Sequence, residues 1–379
     1  MNPQPLTILQ TCFSRSWGGL EIQALELSIG LRERGHHVTL AAPPGSRLAT
    51  EAAGNGLAVV LLDVTGYVHP VLVWRLRNIL RSTGADIIHC QHSRDLATVV
   101  PALQMSGRPI PLVLSKRMGS YIVKRDIFHR YTHRRISRVL AISEVIHRNV
   151  IDTTPVPPER VLTLHDAVDT SLYSLDRVDR WAVRRDTGVP DNAIVVGFVG
   201  RFSPGKGLED LLHAAGILRE RYPSVRYLIV GEASHGEEVY ADSIRDLARR
   251  LNLNDVVVFT GHRTDIPAVM ASFDILAFPS HAEAFGVVLI EAMAMQKPVV
   301  STNCDGVVDI VVDGVTGVSV PPKDPQAFAR GLERLIADAG LRRRMGDAGR
   351  ARVLERFDRS VQLQRLEEVY RELLVKVEV

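Results

Sequence analysis

The sequence predicts an α/β protein with two doubly wound domains, each built on a parallel β-sheet. Short runs rich in Val, Ile and Leu alternate with helical patterns along the whole chain, as in successive strand–helix units. At 379 residues the chain is longer than one ordinary hydrophobic core requires. The alternation stops in a proline-containing, polar stretch between Val150 and Pro190 and then starts again. This stretch has the composition of a domain junction.

The first half of the chain contains six predicted strands. The first, at 6–13, precedes the Gly18-Gly19 turn and an amphipathic helix near 21–34. The other five predicted strands lie at 37–43, 58–64, 85–92, 110–116 and 138–144. Each is short and is followed by a helical pattern, which favours parallel pairing.

The second half repeats this alternation, with five predicted strands at 193–201, 225–232, 256–261, 274–280 and 297–302. The segment 357–379 predicts a long charged helix. We expect an N-terminal domain at 1–168 and a C-terminal domain at 169–359, with the last helix, about 360–379, packed against the first domain. Ligands of open α/β sheets bind at the carboxyl ends of the strands, so functional residues are expected in the loops that follow strands.

Composition and charge narrow the class of protein. The chain is 46% hydrophobic and 23% charged with a net charge of +3, as in soluble globular proteins. The three cysteines, Cys12, Cys90 and Cys304, are scattered and odd in number, which disfavours a disulfide framework or a structural zinc site. The N-terminus lacks a signal-peptide pattern, and no apolar stretch reaches the ~20 residues that span a bilayer. We expect a cytoplasmic protein.

One candidate anion site follows the strand at 193–201. Arg201 and Lys206 flank a Pro-Gly turn just before a helix. Two cations and the free N–H groups of a helix start suit a diphosphate, although a tight turn with two solvated basic side chains is the alternative. Lys206 is followed by Gly207 rather than Ser or Thr, so the loop is not a Walker A motif. The neighbouring GFVGRF is not a GxGxxG fingerprint, which disfavours a nicotinamide cofactor.

The segment HAEAFGVVLIEAMA, 281–294, places Glu283 and Glu291 eight positions apart around Gly286. If a helix begins near Gly286, the two carboxylates can accept hydrogen bonds from hydroxyls at opposite ends of an elongated ligand. The helix start can hold an anion between them. A nucleotide-sugar has this form, with sugar, diphosphate and ribose in a row. The alternative is a helix that carries a surface glutamate near each end.

These motifs resemble the donor site of retaining glycosyltransferases with the two-domain GT-B fold, specifically family 4 (glycosyl transferases group 1). The resemblance covers nearly the whole chain and keeps the order of the family's motifs. The segments that carry it include WGGLEIQALELSIGLRERGHHVTLAA (17–42), FVGRFSPGKGLEDLLHA (198–214) and EAFGVVLIEAMA (283–294). An isolated pair of glutamates at this spacing is weak evidence for membership of the family. The full set of motifs in the family's order is specific.

The resemblance implies a hexosyl-type transferase that moves a sugar from a UDP-, GDP- or ADP-sugar to a hydroxyl, with retention and without a metal or another cofactor. Arg201 and Lys206 would hold the pyrophosphate, Glu283 the sugar and Glu291 the ribose. The departing phosphate is the expected proton acceptor. The full donor-binding set that it implies is Gly18, Gly19, Arg201, Lys206, Glu232, His262, Arg263, Glu283, Ala284, Phe285, Gly286, Val287 and Glu291.

The first half departs from the family pattern at two places. Many members carry a histidine after the strand equivalent to 110–116, whereas Lys116 or Arg117 stands there in this chain. Lys116 is therefore a candidate catalytic residue, and His89 and His92 are alternatives. At the domain junction, HDAVD (165–169) replaces the usual NGVD and retains only the final Val-Asp. Trp17, beside the Gly-Gly turn, either covers a sugar ring or belongs to the core.

A basic run between 115 and 138 is interleaved with Ile127, Phe128, Tyr131 and Ile136. It is either an ordinary solvated helix face or a surface for a glycan or lipid-linked acceptor of the cell envelope, such as a polysaccharide or a lipopolysaccharide core. In the second case the enzyme would sit peripherally on an anionic membrane. The expected surface residues are Lys116, Arg117, Lys124, Arg125, Arg130 and Arg134.

Nucleic acid is not an expected partner, because no recognition motif accompanies the charge. Two other functions remain open from the sequence. One is a sugar-nucleotide epimerase with the same fold, and the other is a non-catalytic protein that binds a membrane surface.

Overall fold

The computed structural model describes residues 4–64 and 69–375. The chain divides into two compact units. The first consists of the residues up to Asp166 together with those from Gln362 onward, and the second is Ala167–Val361.

The first unit contains, among its described residues, a seven-stranded parallel sheet in the order β3-β2-β1-β4-β5-β6-β7. Its strands are β1 (Thr7–Thr11), β2 (His37–Ala42), β3 (Ala58–Leu61), β4 (Ile87–Cys90), β5 (Leu112–Lys116), β6 (Arg138–Ala141) and β7 (Val161–Thr163). Its helices are α1 (Gly19–Glu33), α2 (Arg47–Gly54), α3 (Pro70–Ser82), α4 (Leu96–Ser106), α5 (Ile127–Arg134) and α6 (Glu144–Thr153).

The second unit contains a six-stranded parallel sheet in the order β10-β9-β8-β11-β12-β13, again counted over the described part of the chain. The strands are β8 (Ile194–Val199), β9 (Val225–Val230), β10 (Val257–Gly261), β11 (Ile275–Phe278), β12 (Val299–Thr302) and β13 (Gly317–Val320). The helices are α7 (Ala182–Asp186), α8 (Leu208–Leu218), α9 (Glu238–Arg250), α10 (Ile266–Ser272), α11 (Val287–Ala294), α12 (Val307–Ile310), α13 (Pro325–Ala337) and α14 (Ala339–Arg356).

The α/β fold with two parallel sheets is confirmed, but the sequence missed two strands. The three residues of β7 lie in the stretch that we interpreted as a junction, and β13 follows the last predicted strand. Predicted strands also extended too far, since β1 ends at Thr11 rather than at residue 13. Apolar residues continue past the ends of the strands into the following loops, where the backbone is no longer part of a strand.

The last helix, α15 (Arg359–Val375), completes the core of the first unit. Leu363, Leu366 and Tyr370 are buried in the same cluster as Ile8 of β1. The approach is close, because a Cβ atom on Gly30 of α1 would lie 2.6 Å from Cδ1 of Leu363. A larger residue at this interior helix position would force the Leu363 side chain to move, so glycine lets the two helices pack closely.

In both sheets the strand order reverses at one point. The reversal lies between β1 and β4 in the first unit and between β8 and β11 in the second. The loops that leave the carboxyl ends of such neighbouring strands run in opposite directions and leave a crevice, which is where doubly wound sheets bind ligands.

Candidate functional site

The loops after β8 and β11 meet at the reversal point of the second sheet. His281 donates its backbone N–H to the carbonyl of Gly205 at 2.8 Å, and its ring Nε2 lies 2.7 Å from Asp210 Oδ2. Gly207 has φ +71°, and a Cβ atom there would lie only 2.0 Å from the carbonyl oxygen of Pro279. Only glycine allows this backbone approach. The two loops are therefore fixed against each other.

This approach brings together two residues that the sequence singled out 77 positions apart. Lys206 Nζ donates to Oε2 of Glu283 at 2.6 Å. The two side chains are 27% and 19% exposed, so the pair is shielded and still open to a ligand. A cation and a carboxylate in contact present a donor for phosphate oxygens and an acceptor for hydroxyls within one small region.

The helix that follows, α11, starts at this pair. Gly286 precedes it with φ +103°, and Phe285 is buried against Phe357 with ring centroids 5.9 Å apart. The first N–H groups of a helix, here from Val287 onward, have no acceptor within the helix itself and carry partial positive charge. Their position beside the carboxylate of Glu283 is suited to an anion between the two glutamates.

Glu291 lies one turn inside α11 and is half-buried. The hydroxyl of Tyr173 donates to its Oε1 at 2.8 Å, while burial raises the pKa of the Glu291 carboxyl. Tyr173 was not identified from the sequence, since it lies in the polar run of the junction far from any motif.

Arg201 takes a different position from Lys206. Its guanidinium is more than half exposed, and Nε lies 3.4 Å from Oε2 of Glu237 rather than near Glu283. The side chain is thus free to move toward an incoming anion, with Glu237 as its partner in the structure described.

The loops after β9 and β10 are the ones expected to lie near a nucleotide base. Glu232 accepts the N–H of Phe202 through its backbone carbonyl at 2.9 Å, and His262 is exposed. Arg263 is held by Asp186 at 2.5 Å and Asp265 at 2.7 Å, and these carboxylates raise the pKa of its guanidinium. Its side chain thus braces this loop.

The sequence also missed Asp305, which supports Glu283. Oδ2 of Asp305 accepts the backbone N–H of Glu283 at 3.2 Å, and the N–H of Gly306 donates to the carbonyl of Glu283 at 2.9 Å. Asp305 lies in the loop that follows β12, so its place after a strand was the available signal.

In the first unit, Gly18 and Gly19 lie at the start of α1, after β1. The N–H of Gly18 donates to Oε2 of Glu21 at 3.0 Å, which caps the helix. Trp17 packs partly against the core of this unit, and the guanidinium of Arg47 lies 4.7 Å from its ring centroid. Both of the roles considered for Trp17 are compatible with this half-buried ring.

Asp95, a further residue that the sequence did not identify, lies at the reversal point of the first sheet. It is buried, and Oδ2 accepts from the Thr11 hydroxyl at 3.0 Å and from the N–H of Phe13 at 3.4 Å. Burial raises the pKa of this carboxyl to about 7. Asp95 therefore anchors the loop that leads to the Gly18-Gly19 turn.

Lys116 ends β5 and is half-buried. Burial and the nearby charge of Lys124 lower the pKa of its ammonium to about 8. His92, one alternative for the missing histidine, is half-buried and accepts the N–H of Arg94 through Nδ1 at 3.3 Å.

Three expectations for the first unit are wrong. Arg117 is not on a basic surface, because it is buried and paired with both carboxylate oxygens of Asp166 at 3.2 Å. Ile136 is fully buried. His89 does not replace the family histidine, since it lies in the core between Tyr370 and Ser115, at 2.7 and 2.8 Å, and burial lowers its pKa to about 3.

Lys124, Arg125, Arg130 and Arg134 do lie at the surface or are half-buried. Within residues 4–64 and 69–375, no helix combines the length and the apolar character that a membrane span requires.

Comparison with known proteins matches both halves of the chain to glycosyltransferase models. The model described as Glycosyltransferase Family 4 matches residues 17–172, and the model described as Glycosyl transferases group 1 matches residues 179–352. Together they cover most of both units.

Among curated relatives, the D-inositol 3-phosphate glycosyltransferase of Salinispora arenicola is 32% identical over 270 residues, which are 68% of this chain and 57% of that protein. The chain thus spans little more than half the length of that relative. The α-D-kanosaminyltransferase of Streptomyces kanamyceticus is 26% identical over 388 residues, covering 93% of this chain and 99% of the relative.

Among solved structures, Anabaena Alr3699/HepE in complex with UDP-glucose is similar over 97% of this chain and 100% of that chain, with 26% identity and a TM-score of 0.83. With both halves matched in order and the two-sheet architecture shared, the chain belongs to the GT-B glycosyltransferases, with a family 4 N-terminal half and a group 1 C-terminal half.

Proposed function

We propose that this protein transfers a sugar from a nucleoside-diphosphate sugar to a hydroxyl of a glycan or lipid-linked acceptor, with retention of configuration. The observation that carries the proposal is the contact between Lys206 and Glu283 at the reversal point of the second sheet, directly before α11. The likeness to a solved structure that holds UDP-glucose supports a nucleotide-sugar as the donor.

The donor would bind along the α11 segment. Lys206 and the first N–H groups of α11 would contact the diphosphate, and Arg201 would turn from Glu237 toward it. Glu283 would accept hydrogen bonds from sugar hydroxyls. Glu291 would accept them from the ribose, in the region where Tyr173 already donates to it. An elongated ligand with this order of groups satisfies each partner in turn.

In the reaction, negative charge develops on the leaving diphosphate. Lys206, Arg201 and the helix start are the preorganised positive groups that would stabilise this charge. The acceptor hydroxyl must lose a proton when its oxygen forms the new glycosidic bond, and an oxygen of the departing phosphate is the proposed proton acceptor. Lys116 is proposed to contact the acceptor from the carboxyl end of β5.

A panel of UDP-, GDP- and ADP-sugars tests the donor, with nucleotide release and thermal stabilisation as the two measurements. The variants are Glu283→Gln and Lys206→Met. We expect both to lose turnover by roughly a hundredfold or more, as when one preorganised group of an active site is removed. Glu220→Gln, an exposed glutamate of the same unit, is the control. Turnover and donor binding that are unchanged in both variants would overturn the assignment.

The same incubations separate the alternatives. If an epimeric nucleotide-sugar forms without any acceptor, the protein is an epimerase and the transferase assignment is wrong. Failure of every donor to stabilise the protein would favour a non-catalytic binding protein. We also propose that the enzyme acts as a peripheral protein on the cytoplasmic face of the membrane, where lipid-linked acceptors of the cell envelope are presented.

A further inference from the structure

The first unit carries a second surface at the opposite edge of its sheet from Lys116. Pro111 directly precedes β5, Arg138 is the first residue of β6, and Arg160 directly precedes β7. These residues therefore lie at the amino ends of the strands. Lys116 lies at the carboxyl end of β5, roughly 16 Å away along the strand at ~3.3 Å per residue. Ligands of the sugar-transfer site belong at the carboxyl edge.

Three adjoining cavities of about 460, 500 and 730 Å³ form a groove at this amino edge. Arg134 lines all three cavities, and Glu159 is the acidic residue among those that line them. We call the three cavities the arginine groove, after Arg125, Arg130, Arg134, Arg135, Arg138 and Arg160.

Several of these guanidinium groups are held in place by backbone carbonyls. Arg135 donates to Ile110 at 2.8 Å, Arg160 to Ile136 at 3.0 Å and Arg138 to Glu159 at 3.0 Å. Arg138 also lies 3.6 Å from the exposed carboxylate of Glu372. Each guanidinium has five N–H donors, so donors remain for a ligand. Because the groups are already ordered, an anion that binds them loses less conformational entropy.

Arg130 and Arg134 differ from the other arginines of the groove. Both side chains are exposed on α5, and neither makes a hydrogen bond or ion pair with any residue of the described ranges. They are one helical turn apart and therefore lie on the same face of α5. The two unpaired positive charges on this face are therefore available to attract an anion, either a solvent counterion or a bound ligand.

Exposed apolar side chains adjoin these arginines. On α5, Ile127 is 88% exposed, and Phe128 and Tyr131 are both more than 40% exposed. Just before the helix, Tyr121, Ile122 and Val123 are also exposed. Ile127 and Tyr131 are one turn apart, next to Arg130 and Arg134, so apolar and cationic stripes run side by side along α5.

We propose that the arginine groove and the exposed apolar face of α5 bind the surface of an anionic phospholipid bilayer, with lipid phosphates held by the arginines. Guanidinium groups suit phosphate oxygens through paired N–H donors. The apolar side chains would enter the boundary between headgroups and acyl chains, as in interfacial amphipathic helices. A soluble polyanion would use the arginines and gain nothing from Ile127, Ile122 or Tyr121. The inference rests on the peripheral membrane location proposed above and names the surface and the lipid chemistry for it, but it does not require the sugar-transfer reaction.

Co-sedimentation of the full chain with vesicles tests the proposal. One vesicle is equal parts phosphatidylglycerol and phosphatidylcholine, and the other is phosphatidylcholine alone. We expect strong binding to the first and little to the second. The pair Arg130→Gln and Arg134→Gln should weaken binding by roughly tenfold to thirtyfold, since each basic residue near an anionic surface contributes a several-fold factor. The pair Arg250→Gln and Arg343→Gln, two exposed arginines of the second unit, has the same charge change and should bind normally.

Two further measurements separate the contributions. Ile127→Ser with Phe128→Ser should abolish the binding that survives at high salt, where electrostatic attraction is screened. Glu283→Gln should bind vesicles as the unchanged protein does, so a failed donor assay would leave this result standing. Equal binding to both vesicles, or equal losses in the groove pair and the control pair, would overturn the proposal. Tight binding of heparin that the groove pair abolishes, without vesicle binding, would assign the groove to a soluble polyanion instead.

Discussion

The ammonium of Lys206 lies 2.6 Å from Oε2 of Glu283, across the point where the strand order of the second sheet reverses. Both groups are at least two-thirds shielded from solvent. We expect a double-mutant cycle of Lys206→Met and Glu283→Gln, measured by urea unfolding, to give a coupling energy of about 1 kcal/mol. Saturating UDP-sugar should stabilise the unchanged protein and leave the double variant nearly unaffected, because a ligand stabilises only the state that it binds. Additive single effects would mean that the contact contributes nothing to stability.

Arg117 and Asp166 form a buried ion pair, whose contribution to stability can be compared with that of an exposed ion pair. Their side chains are 7% and 5% exposed, and Arg117 also donates to Gln91 at 2.7 Å. Asp166→Asn should lower the free energy of unfolding by about 3 kcal/mol, because it leaves a buried guanidinium without its counter-charge. Glu51→Gln removes the exposed pair with Arg47 and should cost at most about 0.5 kcal/mol. Equal losses in chemical denaturation would contradict the buried role of Arg117.

Gly30 and Gly216 provide a matched pair of helix-interior glycines. A Cβ atom at Gly30 would lie 2.6 Å from Leu363, whereas one at Gly216 would meet nothing within 4 Å. Gly30→Ala should therefore destabilise the protein by about 1–3 kcal/mol through overpacking. Gly216→Ala should be neutral or stabilise it by up to about 1 kcal/mol through helix propensity. Thermal unfolding of the two variants decides, and stabilisation by both would refute the close approach of α1 and α15.

Asp95 should make stability depend on pH. Its pKa is raised to about 7 by burial, while an unfolded aspartate titrates near 3.9. Between these values the folded state binds more protons than the unfolded state, so this carboxyl lowers stability as pH rises from about 4 to 7. Relative to Asp95→Asn, the unchanged protein should lose stability over this range and change little above it. A difference that stays constant with pH would show that Asp95 is ionised throughout.

Lys116 should impose a pH dependence on transfer, if it contacts the acceptor as proposed. Its pKa is lowered to about 8, so the fraction carrying positive charge falls as pH rises through that value. We expect the transfer rate to fall above pH 8 in the unchanged enzyme and to remain flat in Lys116→Arg, whose charge persists. Identical pH–rate profiles for the two proteins would remove Lys116 from the reaction.

The fold followed from the sequence because parallel strands that are buried on both faces form apolar runs that a single chain displays directly. The exceptions were β7, which has only three residues, and β13 (Gly317–Val320), in which Gly317 and Ser319 interrupt the apolar run. The donor site was predicted through its motifs and stays a prediction; the structure brings two of its residues, Lys206 and Glu283, into contact.

The sequence predicted least well which side chains pair with each other through tertiary contacts. Arg117 belongs to a basic run along the chain, but its counter-charge, Asp166, comes from 49 positions away. Tyr173 likewise contacts Glu291 from the polar junction, and Asp305 accepts the backbone N–H of Glu283 from the loop after β12. The local sequence pattern predicts the helix or strand to which a residue belongs. Whether its side chain is buried, and which residue it pairs with, depends on the distant segments that pack against it.

The contribution of α15 to the first core also constrains the order of folding during synthesis. Leu366 and Tyr370 fill the same cluster as Ile8, so the ribosome must pass Tyr370 before that core can close. By then every residue of the second unit has been translated. Domains usually fold in the order of their synthesis. In this chain the second unit can reach its native state while the first still exposes unfinished apolar surface to chaperones.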